Sequence, residues 1–128
     1  MANCAGMAIA SDQIWPSIAP TALPTTLVSS WQAKATAGGL VSIFCNVTTL
    51  SGWLFIVDAT SVSNGVIVPL WSVPIDSNNV HGHYEHSWGL SPLKFSTGCV
   101  ACFSTTGPTA SNVTLTLSAT AFFGGQVQ

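Results

Sequence analysis

The residues able to do chemistry are crowded into one stretch, NNVHGHYEHSWGL, residues 78–90. It holds all three histidines, His81, His83 and His86, together with Glu85, in a chain that has two cations and four acids. Side chains alternate along an extended backbone, so His81, His83 and Glu85 would share one face and His86 the other. A His-x-His pair on a strand is a start for a first-row metal site, and Glu85 would add a third ligand. The other ligand source is Cys99-Val-Ala-Cys102, which would make a set of His81, His83, Cys99 and Cys102. On a strand, however, an offset of three turns the two thiols to opposite faces. A single CxxC without a second is also a weak signal, so no metal is expected. His81, His83, Tyr84, His86 and Trp88 read instead as a polar edge segment contacting a partner. Its histidines read as a pH-sensitive part of that contact.

Covalent catalysis finds less support. Serine is plentiful, but no G-x-S-x-G elbow occurs. Asp58 and Asp76 stand near the ends of apolar runs, where Asp commonly caps turns. No nucleophile, base and orienting group can be named together, so neither an enzyme nor a cofactor is expected. The five tryptophans are dense for this length. Trp53 and Trp71 lie inside apolar runs and read as core or subunit interface, leaving Trp15 and Trp88 freer to meet a partner or stack on a sugar.

The elements that must position these groups are bounded by length and charge. A chain of 128 residues buries roughly two-thirds of its unfolded surface as one domain. Charged residues make up 5% of it, against about 25% in typical soluble domains. Lys34 and Lys94 are its only cations, too few to neutralise a phosphate backbone, so nucleic acid is excluded as a partner. No run of about 20 apolar residues is present to cross a membrane as a helix. MANCAGMAIASDQ lacks the basic flank and strong apolar centre of a secretory signal. Cys4, Cys45, Cys99 and Cys102 are accordingly expected as reduced thiols acting as small hydrophobes. A surface this short of charge is prone to association, which points to a subunit of an assembly.

Residues 1–27 form one unit and 28–128 another. Pro16, Pro20 and Pro24 recur every fourth residue, which forbids a regular helix and favours extended backbone. Ile14, Trp15, Ile18 and Leu23 make this segment too apolar for a free tail. It reads as an extended N-terminal arm laid on its own body or on a neighbour. The body reads as strands. Leu40–Val47 and Gly52–Ala59 look like a pair joined by TTLSG. Gly65–Ile75 is β-branched but carries Pro69 and Pro74, so it is an edge strand or one broken by a bulge. LKFST and CVACFSTT follow. NVTLTLSATAFF alternates Val113, Leu115, Leu117 and Ala119 with hydroxyl side chains, the pattern of a strand with one wet face. Turn signals about every ten residues fit an all-β fold, a single antiparallel β-sandwich of jelly-roll or Ig-like type with the N-terminal arm.

Two segments carry a resemblance. WLFIVDATSVSNGVIVPL, followed by SPLKFSTGCVACFSTTGPTASNVTLT, is similar in order to small structural proteins of tailed bacteriophages. The matching residues are Asp58-Ala59, Gly65, Pro92-Leu93, Phe95, Gly98 and Ser104-Thr105-Thr106, and the likeness spans about residues 40–118. It implies a virion protein, assembled in the host cytoplasm: a capsid decoration or cement subunit, or a tail-associated one. Its implied partners are further copies of itself, often as a trimer, and the major capsid or other virion proteins. Cement subunits stabilise a shell because they bind the assembled state and not its free parts, and an exchanged arm is a low-cost way to lock an oligomer. The alternative is a carbohydrate- or host-surface-binding module on the same framework.

Overall fold

In the computed structural model, residues 19–20, 27–48, 51–76, 82–109 and 112–128 are described. They form twelve strands: β1 (Ala19–Pro20), β2 (Ser30–Lys34), β3 (Gly38–Val47), β4 (Gly52–Val57), β5 (Gly65–Ile67), β6 (Trp71–Ile75), β7 (His83–Ser87), β8 (Leu93–Phe95), β9 (Cys99–Ser104), β10 (Pro108–Thr109), β11 (Asn112–Leu115) and β12 (Ala121–Val127). Every pairing among them is antiparallel. The protein is thus all-β with antiparallel sheets, as its periodicity leads one to expect.

Three sheets result. A five-stranded sheet runs β1-β12-β3, and the far edge of β3 is shared by β7 and β8. A four-stranded sheet runs β2-β9-β4-β6, and a three-stranded one runs β10-β11-β5. Their faces bury two apolar clusters. One joins Ile43, Cys45, Val47, Ala121 and Phe123 of the five-stranded sheet to Leu54, Ile56, Cys99, Ala101 and Phe103 of the four-stranded sheet. The other joins Phe55, Val57 and Cys102 to Val113 and Leu115 of the three-stranded sheet. Alternation along β4 and β9 therefore feeds both clusters from one sheet. All six residues of β9, CVACFS, are buried. Each fully buried large side chain there, Phe103 among them, contributes about 1.5–3 kcal/mol.

Three expectations are corrected. Leu40–Val47 and Gly52–Ala59 are not a hairpin: β3 pairs with β12, β7 and β8, whereas β4 pairs with β9 and β6. Both strands turn apolar faces into the same cluster, so they meet face to face instead of edge to edge. Gly65–Ile75 is not one strand but two edge strands in different sheets, β5 and β6, parted at Val68–Leu70 where Pro69 removes a ladder donor. NVTLTLSATAFF likewise splits. β11 stops at Leu115, Leu117 makes an isolated bridge to Ser104, and β12 starts at Ala121 in another sheet. Ala119, expected inside, is exposed.

Within the arm, Ala19 and Pro20 pair with Val127 and Gln126 of the chain's own β12. Pro20 sits on a sheet edge, where its missing N–H costs nothing. Ile14, Trp15, Pro16, Ile18, Leu23 and Pro24 lie outside the described residues.

Two polar locks tie distant segments together, and both use residues that carry the resemblance. The Asp58 carboxylate, just past β4, accepts from the Ser96 backbone N–H and hydroxyl at 2.9 Å each. It also accepts from the Thr97 N–H at 2.8 Å and the Gly98 N–H at 3.3 Å. A Cβ on Gly98 would meet the Ala59 carbonyl oxygen at 2.7 Å, so this close approach requires glycine. Ser104, fully buried at the end of β9, forms the second lock. Its hydroxyl accepts from the Thr116 N–H at 2.9 Å and the Thr106 N–H at 3.2 Å, and donates to the Thr106 carbonyl at 3.0 Å.

Ser104→Ala strips two backbone N–H groups of their acceptor. It should cost about 1–3 kcal/mol in urea unfolding, whereas Thr105→Ala, at an exposed neighbour, should cost within about 0.5 kcal/mol. Equal costs at the two positions would contradict the role given to the Ser104 hydroxyl.

Candidate functional site

Strand β7 carries the histidine-rich stretch, and its register on β3 decides what each side chain meets. Asn46 stands opposite His83, Phe44 opposite Glu85, Cys45 opposite Tyr84 and Ile43 opposite His86. His83, Glu85 and Ser87 are exposed on the outer face of the five-stranded sheet, and Tyr84 and His86 are half-buried on the inner one. His83 and Glu85 therefore do share a face, with His86 opposite, as alternation requires. His81 lies outside the described residues.

On the outer face, the His83 Nε2 lies 2.7 Å from Glu85 Oε2, and its Nδ1 meets the Asn46 side-chain amide. The Glu85 carboxylate only accepts, so Nε2 is the nitrogen that carries a proton, and the Asn46 amide can turn either its NH2 group or its oxygen towards Nδ1. This is an exposed histidine–carboxylate contact closed by a cross-strand amide, and such surface contacts contribute little to stability.

On the inner face the rings form a packed group. The Trp71 ring of β6 lies 5.9 Å from Tyr84, 5.3 Å from His86 and 5.3 Å from Trp88, centroid to centroid. His86 and Trp88 meet edge to face at 4.6 Å. Trp88 is fixed by its N–H bond to the Val41 carbonyl at 2.8 Å and by the turn that follows, where Gly89 has φ +61. β6 and β7 are edge strands of different sheets, so these rings close the gap between two sheet edges. Trp71, Tyr84 and Trp88 pack against the larger apolar cluster while remaining half-exposed. Burial raises the Tyr84 phenol above its ordinary pKa.

A cleft of about 650 Å³ opens where β4, β6 and β7 end together. Trp53, Pro74, Asp76, Ser51, His83 and Tyr84 are among its lining residues. The β4–β6 register places Trp53 beside Pro74 and Gly52 beside Ile75, which brings Ser51 and Asp76 to the same rim. There the Ser51 hydroxyl donates to Asp76 Oδ1 at 2.8 Å. Trp53 and Asp76 are the functional candidates that the sequence reading passed over. Their meeting depends on the pairing of β4 with β6, and no local spacing encodes it.

The cysteines take no part in either site. Cys45, Cys99 and Cys102 are free thiols, buried, and each is pushed up to about 12. Desolvation is the cause in all three, with the Asp58 charge adding to it at Cys99. Cys99 belongs to one apolar cluster and Cys102 to the other. Cys99 and Cys102 are therefore not brought together as a ligand pair. Among the described residues, no three His, Cys, Asp or Glu side chains gather to hold a metal ion.

The structure pulls the Asp58 carboxylate strongly down, to about 2, chiefly through the Ser96 and Thr97 N–H groups. Its ordinary value is near 3.8, so its contribution to stability is complete above pH 4 and is lost as pH falls from 4 towards 2. Acid titration of thermal unfolding should show that loss in the native chain, and the loss should be smaller in Asp58→Asn. Alkylation at pH 8 should likewise leave Cys45, Cys99 and Cys102 unmodified in the folded chain and modify all three in urea. Peptide mapping reads the difference.

Comparison with known proteins gives no match to a family model, a curated protein or a solved structure, so the phage-protein resemblance is carried by its quoted residues alone.

Proposed function

We propose that this chain is a non-enzymatic structural subunit of a virion-type assembly, a capsid decoration or cement protein. In this reading its five- and four-stranded sheets pack as one antiparallel sandwich, and its surface serves contact with further copies and with shell proteins. The observation that carries it is a row of outward apolar side chains along β5 and the segment after it. Val66 is 67% exposed, Val68 74% and Leu70 39%. They stand at alternate positions, on and just beyond an edge strand of the three-stranded sheet.

Edge strands are ordinarily blunted by lysine, inward charge, bulges or proline to stop them pairing with other chains. From residue 59 to residue 75 this chain carries no charged residue, and Pro69 is the one such device in the exposed row. An uncharged apolar edge of this kind fits a surface that is covered when the protein works. The three described cysteines are buried among apolar side chains, so none of these thiols is presented to a substrate. Partners of matching character are a second copy and an apolar seam between shell subunits.

In sedimentation velocity at tens of micromolar, the native chain should run as an oligomer. Val66→Asp with Val68→Asp should run as a monomer with an unchanged circular dichroism spectrum, since both positions are open to solvent. The chain should also be found, as a stoichiometric component, in gradient-purified particles from its source. A native chain that is monomeric and absent from such particles would end this reading.

A further inference from the structure

We infer that the cleft bounded by Trp53, Tyr84, Pro74, Asp76, Ser51 and Thr105 is a binding site for a neutral saccharide. The inference stands apart from assembly, because the cleft lies at the shared end of β4, β6 and β7 and the exposed apolar row lies on β5 and beyond it.

Its size comes first. At about 650 Å³ the cleft falls within the span of roughly 300–1,000 Å³ that small-ligand sites occupy. Its walls come second. A sugar ring has an apolar C–H face that lies on aromatic rings and a rim of hydroxyls that both donate and accept hydrogen bonds. Trp53 and Tyr84 supply two aromatic surfaces, and Pro74 adds apolar floor. Both aromatic walls are held from behind. Trp53 stacks on Phe55 at 6.3 Å with the planes 14° apart, and Gly107 lies so close to the indole that a Cβ there would collide with it. Tyr84 is braced by Trp71. Walls fixed before the ligand arrives lose little freedom on binding.

The polar groups decide the ligand's charge. Ser51 and Thr105 line it with hydroxyls and Asp76 with a carboxylate, while both ring nitrogens of His83 are already taken by Glu85 and Asn46. Among the described residues, which include both lysines, no lysine lines the cleft. Lys34 donates to the Gln128 carbonyl at 2.9 Å, and Lys94 pairs with Gly39, at the opposite end of β3 from the residues facing His83. A phosphate or a carboxylate would enter next to the Asp76 carboxylate, and the one described lining group able to carry positive charge, His83, is already paired with Glu85, so anionic ligands are disfavoured. A metal or an organic cation would find one carboxylate, already shared with the Ser51 hydroxyl. A ligand rich in hydroxyls and free of charge matches both the ring walls and the mixed donors and acceptors.

The test uses the full chain on an array of neutral and acidic glycans. The best neutral hit is then titrated while tryptophan fluorescence is followed, with choline and Ca2+ as separate probes. At least one neutral glycan should bind saturably. Asp76→Ala, at an exposed position, should weaken it at least tenfold, and Trp53→Phe should weaken it less than Trp53→Ala. Val66→Asp should leave the titration unchanged. Absence of any neutral hit, preference for acidic glycans, saturable binding of choline or Ca2+ alone, or full affinity in Asp76→Ala would each overturn the assignment.

Discussion

The structure depends on excluding water from both faces of β9. Its six residues pair with β2 on one side and β4 on the other while packing above and below. A strand so placed can carry no charge and little bulk, and CVACFS meets both conditions with small residues and one large ring. Its single polar side chain, Ser104, is tolerable at full burial because its hydroxyl is spent on backbone groups of Thr106 and Thr116. Removing β9 would leave β2 and β4 without a common neighbour and would open both apolar clusters at once.

Around this strand the polar chemistry is almost wholly structural. Asp58 and Ser104 are the strongest examples, each drawing several backbone groups into one side chain across long separations in sequence. They also include residues on which the phage-protein resemblance rests. Asp58, Gly98 and the Ser104–Thr106 run are parts of two hydrogen-bonded locks, so a likeness built on them reports shared framework needs more directly than shared activity.

Much of this was legible in the residues. Apolar runs marked β3 and β4, period-2 alternation marked β11, and Gly52, Gly65 and Gly98 stand at or just before the starts of β4, β5 and β9. The offset of three between Cys99 and Cys102 correctly separated the two thiols. Partner choice between strands was not legible. β3 and β4 are adjacent in sequence and equally apolar, and nothing local says that each prefers a distant strand to the other. The same limit hid the cleft, since Trp53 and Asp76 come together only through the β4–β6 register. Tyr84 and Trp88 could be placed on β7 and after it, but their packing on Trp71 required knowing that β6 and β7 edge two sheets that approach each other.

The position of β9 in the chain also sets a timetable. Its neighbours β2 and β4 are made long before it, and β3 likewise waits for β12 at the far end. On the ribosome, therefore, the apolar strands Gly38–Val47 and Gly52–Val57 emerge with their eventual partners still unmade. Such non-local pairing is intrinsically slow and leaves nascent strands open to misassociation. Residues as late as Val127 in one cluster and Leu115 in the other must be made before either can close, so no local hairpin completes the core.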